Sequence, residues 1–286
     1  MTPETTVRRS GAPPWRVMGE RPTLPSYVRQ LWRRRHFIGA EARAKAFSGN
    51  RDMLLGNLWL IGVPILQGLA YYLIFGLILN TSRGIENFTG FLLIGVFLFR
   101  FTTTSMQQGI AVMSQSRGMT GAFSFPRAAV PLSVLLREAL SMLPVLATLV
   151  LLLLTVPPGT QVTWTWALFP LVFGLQVLFN AGIVMYTARL GSALPDLRHV
   201  VAFLARLWFY MSGVFFSLDR FVSEGVWLSV LQANPLYMVL DMSRDLLLYG
   251  TVPDAQSWMF LSLWAVITPL FGFWYFWQGE ETYGQH

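Results

Sequence analysis

The chain has 286 residues, 54% of them hydrophobic and 12% charged, against roughly 25% charged in an ordinary soluble domain. This composition excludes a soluble globular protein, a disordered segment and a collagen. The absence of cysteine also excludes a disulfide scaffold, thiolate metal sites and a cysteine nucleophile. The net charge of +7 lies entirely in residues 1–52, which carry eleven cations and four acids, while the rest of the chain balances. A basic tail running straight into an apolar domain reads as a cytoplasmic segment facing lipid headgroups, not as a nucleic-acid binder.

The first long apolar run starts after residue 52, too late and too long for the apolar stretch of a signal peptide. Before it, Leu24, Tyr27, Val28, Leu31 and Trp32 recur at helical spacing, with Arg29, Arg33 and Arg34 largely off that stripe. The pattern predicts an amphipathic helix lying in the membrane interface. A plain anchor would show the same pattern.

About 20 apolar residues cross a hydrocarbon layer of roughly 30 Å, so spans can be read as gaps between charges. Span 1 covers about 54–79 and ends in the turn-forming run Asn80, Thr81, Ser82, Arg83, Gly84. Span 2 covers about 88–114, interrupted by Arg100. The uncharged stretch between Glu138 and Arg189 is too long for one crossing and breaks at Val156-Pro157-Pro158-Gly159-Thr160, a turn signature. It therefore holds span 3, about 131–156, and span 4, about 164–188. Span 5 follows at about 200–218 and span 6 at about 257–277.

Six crossings put both termini on one side. Cations crowd the N-terminal segment, the 2–3 loop (Arg117, Arg127) and the 4–5 loop (Arg189, Arg198, Arg206), whereas the 1–2 loop has Arg83 alone and the 3–4 loop none. Both termini are thereby predicted to be cytoplasmic. Between spans 5 and 6, Asn234 and Pro235 offer a cap and first turn for a helix over 236–249, with Gly250 as its stop. Apolar Leu228, Val230, Leu231, Leu246 and Leu247 suggest two short helices dipping back into the outer leaflet, buried against protein. A simple external cap is the alternative.

The expected fold is an all-α membrane protein. It has six transmembrane helices, an N-terminal amphipathic interfacial helix and two short re-entrant helices between spans 5 and 6. Residues 1–52 form the cytoplasmic tail with the interfacial helix. Residues 53–278 form the membrane domain, with an outer segment at about 219–255, and 279–286 form a cytoplasmic C-terminal tail.

Nucleotide hydrolysis would need a phosphate-cradling glycine loop with a lysine. The single lysine, Lys45, sits in Glu-Ala-Arg-Ala-Lys-Ala-Phe, so any ATP-driven work requires a separate subunit, and no cofactor is expected in this chain. A membrane enzyme acting on polyprenyl phosphates would show clustered acids for a metal ion. The one close pair, Asp241 and Asp245, has Arg244 beside it, free to pair with Asp241 at i+3. The three histidines, His36, His199 and His286, are scattered. No metal site and no catalytic residue are expected.

A central intramembrane arginine carries an insertion penalty of roughly 2.5–3.5 kcal/mol, so Arg100, within Phe97-Leu98-Phe99-Arg100-Phe101, is expected to face a subunit interface or a wet cavity. It is either a cation on a substrate path or a structural donor to facing carbonyls. Arg137 and Glu138 are expected to pair locally. Tyr71, Tyr72, Phe75, Phe97, Phe101, Trp208, Tyr210, Phe215 and Phe216 fall inside spans. Their rings can stack on sugar faces or simply pack and meet lipid.

The cationic amphipathic helix, the six spans and the basic 2–3 loop ending Phe125-Pro126-Arg127 before Val130-Pro131-Leu132-Ser133 form one part of a recognisable pattern. Asn234-Pro235-Leu236 with Arg244 downstream completes it, and together they resemble the ABC-2 type permease family. Within it the chain looks most like the Wzm-type subunit of polysaccharide exporters, including the O-antigen exporters and the mycobacterial galactan exporter. The likeness covers roughly residues 25–278. It implies a homodimer with two Wzt-type ATP-binding subunits, which carry ATP and Mg. The assembly moves a polyprenyl-pyrophosphate-linked glycan outward across the bacterial cytoplasmic membrane. The resemblance further implies that the 2–3 loop, with Arg117, Phe123 and Phe125, couples to the ATPase. It makes Arg29, Arg33, Arg34 and Arg35 candidates to attract the lipid pyrophosphate at a lateral opening. Asn234, Pro235, Asp241, Arg244 and Asp245 would belong to an outer gate. Ser212-Gly213-Val214 departs from the Ser-Pro-Val common in the family, which removes any proline kink there. Rival readings are an ABC-2 permease for a drug or another lipid, a polyprenyl-phosphate membrane enzyme, and a non-transporting scaffold.

Overall fold

A computed structural model describes residues 23–48, 56–78, 85, 87–116, 126–156, 159–216, 230–280 and 283. Its elements are helical, and four of the helices among the described residues are long and apolar enough to cross a membrane. In chain order they are α1 (Leu24–Arg33), α2 (Arg35–Ser48), α3 (Trp59–Tyr71), α4 (Phe88–Gln115), α5 (Ala129–Thr155), α6 (Phe169–Ala193), α7 (Leu197–Met211), α8 (Pro235–Arg244) and α9 (Ala255–Gln278). The four membrane-length helices are α4, α5, α9 and α6 with its leading turn from Trp164. Spans 2, 3, 4 and 6 thus stand close to where the gaps between charges put them. The largest boundary difference is in α6, which runs on through Arg189 to Ala193.

Local chemistry sets the starts. Asn87 caps α4 by accepting from the Gly90 N–H at 2.9 Å, and Asp254 caps α9 through the Ser257 N–H at 3.2 Å. Asn234 caps α8 through the Leu236 N–H at 3.1 Å, with Pro235 in the first turn. Each side-chain oxygen satisfies an N–H that the helix itself leaves open. After α8 the chain makes one wider turn, Asp245–Tyr249, and stops at Gly250, whose φ of 65° is left-handed, a conformation that glycine adopts without a Cβ clash.

Two predicted spans form shorter helices. α3 loosens into a π-type turn over Tyr72–Ile78. α7 ends at Met211, several residues before the predicted boundary, because Gly213 takes a φ of 61°. Glycine here breaks the helix by its backbone conformation, without the proline common in the family. The turn predicted at residues 80–84 and residues 217–229 lie outside the described residues.

α4 is the centre of the bundle. Leu93, Ile94, Phe97 and Leu98 are buried against α5, α6 and α8, with Phe179, Val239 and Leu240 facing them. α6 packs on α4 and α9 through backbone contact, since a Cβ on Gly182 would collide with the Thr268 carbonyl and one on Gly191 with that of Ile110. Small residues permit this approach in a membrane, where dispersion and hydrogen bonds replace the hydrophobic drive between helices. Gln176 adds a polar tie, donating to the Leu98 carbonyl at 2.8 Å and to Thr102 at 3.1 Å.

Candidate functional site

Three groups of residues gather on this frame. The first lies midway along α4. Arg100 is exposed and donates to Gln67 Oε1 of α3 at 2.8 Å. The two residues line a cavity of about 250 Å³ between α3, α4 and α5, together with Trp59, Phe97, Phe101 and Glu138. Arg100 therefore faces a cavity, as its insertion penalty requires, and its guanidinium bonds a side-chain amide of the neighbouring helix. Arg137 and Glu138 pair locally at 2.7 Å, and Glu138 also borders the cavity.

Of the residues expected on a substrate path, Phe97, Arg100 and Phe101 line this cavity among the described side chains. Tyr71 packs at the edge of the core, and Tyr72 is half-buried. Trp208 sets its ring edge-on to Phe99 and Phe179, and Tyr210 is exposed on α7. The Phe75 side chain lies outside the described residues. Gln67 was missed by sequence reasoning, although a lone amide inside an apolar span was a signal open to reading.

The second group is a joint between the broken end of α7 and α8. Asn234 accepts from Trp208 Nε1 at 2.9 Å and donates through Nδ2 to Ser212 Oγ at 2.9 Å, besides capping α8. Arg244 is buried and donates to the carbonyls of Phe91, at 3.3 Å, and Val214, at 3.2 Å. The expected partner of Arg244 was Asp241 at i+3. The guanidinium instead reaches across to two backbone carbonyls, because burial leaves those as the acceptors within its reach, and Asp241 acts on it through its charge. Pro235 is buried, and Asp241 and Asp245 are half-buried. Thr165 donates to the Leu246 carbonyl at 2.7 Å, and Leu236, Val239, Leu240 and Leu246 of the segment after Pro235 pack into the core cluster.

The third group is at the opposite end. On α1, Tyr27 is fully buried while Arg29 and Arg33 are exposed, as are Arg34 and Arg35 at the junction with α2. Arg35 also lies over the Trp32 ring, 5.1 Å from its centroid. The helix thus shows one anchored face and one basic face. Arg117, Phe123 and Phe125 lie outside the described residues.

The apolar helices of membrane-spanning length define a multi-pass membrane protein. The family described as ABC-2 type transporter matches residues 47–248, and the chain belongs to it. It is 27% identical over 240 residues to the O-antigen export system permease protein RfbA of Myxococcus xanthus, covering 84% of this chain and 91% of that protein. It is 27% identical to a protein of the same name from Klebsiella pneumoniae over 71% of this chain and 76% of that one. It is also 24% identical to the polysialic acid transport protein KpsM of Escherichia coli, over 76% and 83% respectively.

Proposed function

We propose that this chain is the transmembrane subunit of an ATP-driven exporter that carries a polyprenyl-pyrophosphate-linked polysaccharide, galactan or O-antigen-like, across the bacterial cytoplasmic membrane for envelope assembly. The observation that carries the reading is the likeness to an O-antigen export permease over 84% of the chain. The exposed arginines of α1 support it, because a basic face at a membrane surface attracts an anionic lipid headgroup.

In this reading α3 and α7 complete six crossings, both termini are cytoplasmic, and the segments flanking Asn234 re-enter the outer leaflet. Residues 1–52 form the cytoplasmic tail, 53–278 the membrane domain and 279–286 the C-terminal tail. Two copies of the chain pair, and two Wzt-type subunits supply ATP hydrolysis with Mg. Arg117, Phe123 and Phe125 meet those subunits. Arg29, Arg33, Arg34 and Arg35 receive the pyrophosphate. Arg100 and the intramembrane aromatics Tyr71, Tyr72, Phe75, Phe97, Phe101, Trp208 and Tyr210 border the path, while Asn234, Pro235, Asp241, Arg244 and Asp245 shape the outer gate.

The test is depletion of the protein in its host, extraction of polyprenyl-linked intermediates and assignment of their leaflet. Full-length lipid-linked glycan accumulating on the cytoplasmic side is the expected result. Short intermediates with no polymer would overturn the reading in favour of an enzyme, and unchanged glycan would point to a drug or other lipid as cargo.

A further inference from the structure

The cytoplasmic end of the bundle holds a buried carboxylate that joins three segments far apart in sequence. Glu280, just past α9, is 9% exposed. Its Oε2 accepts from the Tyr27 hydroxyl at 2.7 Å, and its Oε1 accepts from the Arg127 backbone N–H at 3.1 Å. The Tyr27 oxygen in turn accepts from the Ala128 N–H at 2.9 Å, and the Arg127 guanidinium donates to the Glu280 carbonyl. Arg127 and Ala128 immediately precede α5, which has no side-chain cap of its own. The N–H groups of the two residues leading into α5 are therefore satisfied by a carboxylate from the C-terminal tail and a hydroxyl from α1, while those of Ala129 and Val130 donate to the Pro126 and Arg127 carbonyls, and negative charge at a helix N-terminus is favourable.

The clamp is braced from behind. The Tyr27 ring packs on Phe273 of α9 with centroids 5.9 Å apart, and Tyr283 donates to the Phe276 carbonyl at 2.9 Å. The rest of α1 is held far less: Val28 and Trp32 on the same stripe are exposed. Tyr27 is thus the buried fastening point of a helix otherwise open along most of its length. The chain segment leading into Arg127 is the one read above as meeting the ATPase.

We propose that Glu280 is a positioning residue for transport. Through Tyr27 it makes α1 and the first turn of α5 move as one body, so that a pull on the segment before Arg127 shifts the basic face of α1. The inference rests on the exporter reading and adds the part that carries motion from the ATPase side to the substrate-receiving helix.

The test uses the full chain purified with its ATPase subunit in lipid vesicles. The chain has no native cysteine, so Gln30→Cys on the exposed face of α1 can carry a fluorophore as the only label on this subunit. In the parent protein ATP should shift the fluorescence. In Glu280→Gln, which offers one acceptor oxygen where the carboxylate offered two, and in Tyr27→Phe, which keeps the ring packing, the shift should be lost. ATP hydrolysis and co-purification of the subunits should persist. The double variant should be no worse than either single one, as expected of groups acting in one contact. The proposal is overturned if the fluorescence shift survives in both variants. It is equally overturned if hydrolysis falls with the shift, because the contact then only holds the fold. Failure of the exporter reading shows elsewhere, as a parent protein with an ATP-driven shift whose depletion leaves lipid-linked glycan unchanged.

Discussion

The guanidinium of Arg244 lies against the ring of Phe91, its Cζ 3.3 Å from the ring centroid, while its nitrogens donate to the carbonyls of Phe91 and Val214. One side chain of α8 thereby ties α4 to the loop that follows the broken end of α7. Charged hydrogen bonds contribute about 1.5–3 kcal/mol and a desolvated cation–π contact about 2 kcal/mol. Arg244→Met should lower stability by about 2–4 kcal/mol, and Arg244→Lys should recover little, since an ammonium cannot span both carbonyls as a planar fork does. Gly95 gives an independent check. A Cβ there would stand 2.8 Å from Arg244 Nη2 and 3.2 Å from the Val214 carbonyl, so Gly95→Ala should push the guanidinium aside and reproduce part of the loss. Thermal unfolding in detergent reads all three variants.

The crossing of α6 and α9 is set by backbone touching backbone. A Cβ on Gly272 would meet the Gly182 carbonyl, and one on Gly182 the Thr268 carbonyl, and neither obstacle is a side chain able to rotate away. Overpacking of this kind costs about 1–3 kcal/mol. Gly182→Val should therefore reduce the yield of folded protein and its melting temperature. Gly174→Ala on the same helix, where nothing lies within 4 Å of the added Cβ, should leave both unchanged.

Asn234 serves three partners with one amide, and the chemistry of its two ends separates them. Asn234→Asp keeps the oxygen that caps α8 and receives Trp208 Nε1, and removes only the donation to Ser212. Asn234→Ala removes all three. Loss of a cap alone costs about 1 kcal/mol, so the alanine variant should be the less stable by at least that much. Indole fluorescence should shift in the alanine variant, where Trp208 loses its acceptor, and stay nearer the parent in the aspartate variant.

The long helices were legible because charge is excluded from lipid so sharply that its gaps mark the spans; α4 and α9 start within a few residues of where those gaps place them. The stop of α7 was not, because apolar residues continue past Gly213 and only the backbone φ there reveals the break. The partners of Arg244 and Tyr27 were hidden for another reason. The acceptors of Arg244 lie 30 and 153 residues away in sequence and that of Tyr27 253, where neither helical spacing nor local charge pairing can point. The α1 stripe predicted an apolar face for the membrane interface, and the fold buries Tyr27 of that stripe against protein while leaving Val28 and Trp32 open.

Burial pushes the Glu280 carboxyl up from its ordinary value of 4.5, against the lowering pull of the Arg127 N–H and the Tyr27 hydroxyl. A carboxyl raised on folding contributes stability that is fully present below its unfolded pKa and lost as pH rises through the folded value. In the window starting near 4.5 and extending upward, the parent protein should gain melting temperature on acidification relative to Glu280→Gln, which has no such titration. Parallel profiles for the two proteins would remove this carboxyl from the balance.

Arg100 and Gln67 can be separated by their opposite behaviour in substitution. A midplane arginine carries an insertion penalty of roughly 2.5–3.5 kcal/mol, so Arg100→Leu should insert and assemble at least as well as the parent. A loss of export in that variant is then a loss of function at the cavity and not of folding. If Arg100 serves chiefly to hold α3 against α4, its bond to Gln67 is what matters, and Gln67→Leu should be as damaging as Arg100→Leu. If the cation itself serves the substrate, Gln67→Leu frees the guanidinium into the cavity and export should persist. Arg100→Lys should then keep part of the activity, since a positive charge remains without the planar donor set. The exporter reading predicts this second pattern: flux lost in Arg100→Leu, retained in Gln67→Leu and partly retained in Arg100→Lys, with the ATPase subunit co-purifying in all three.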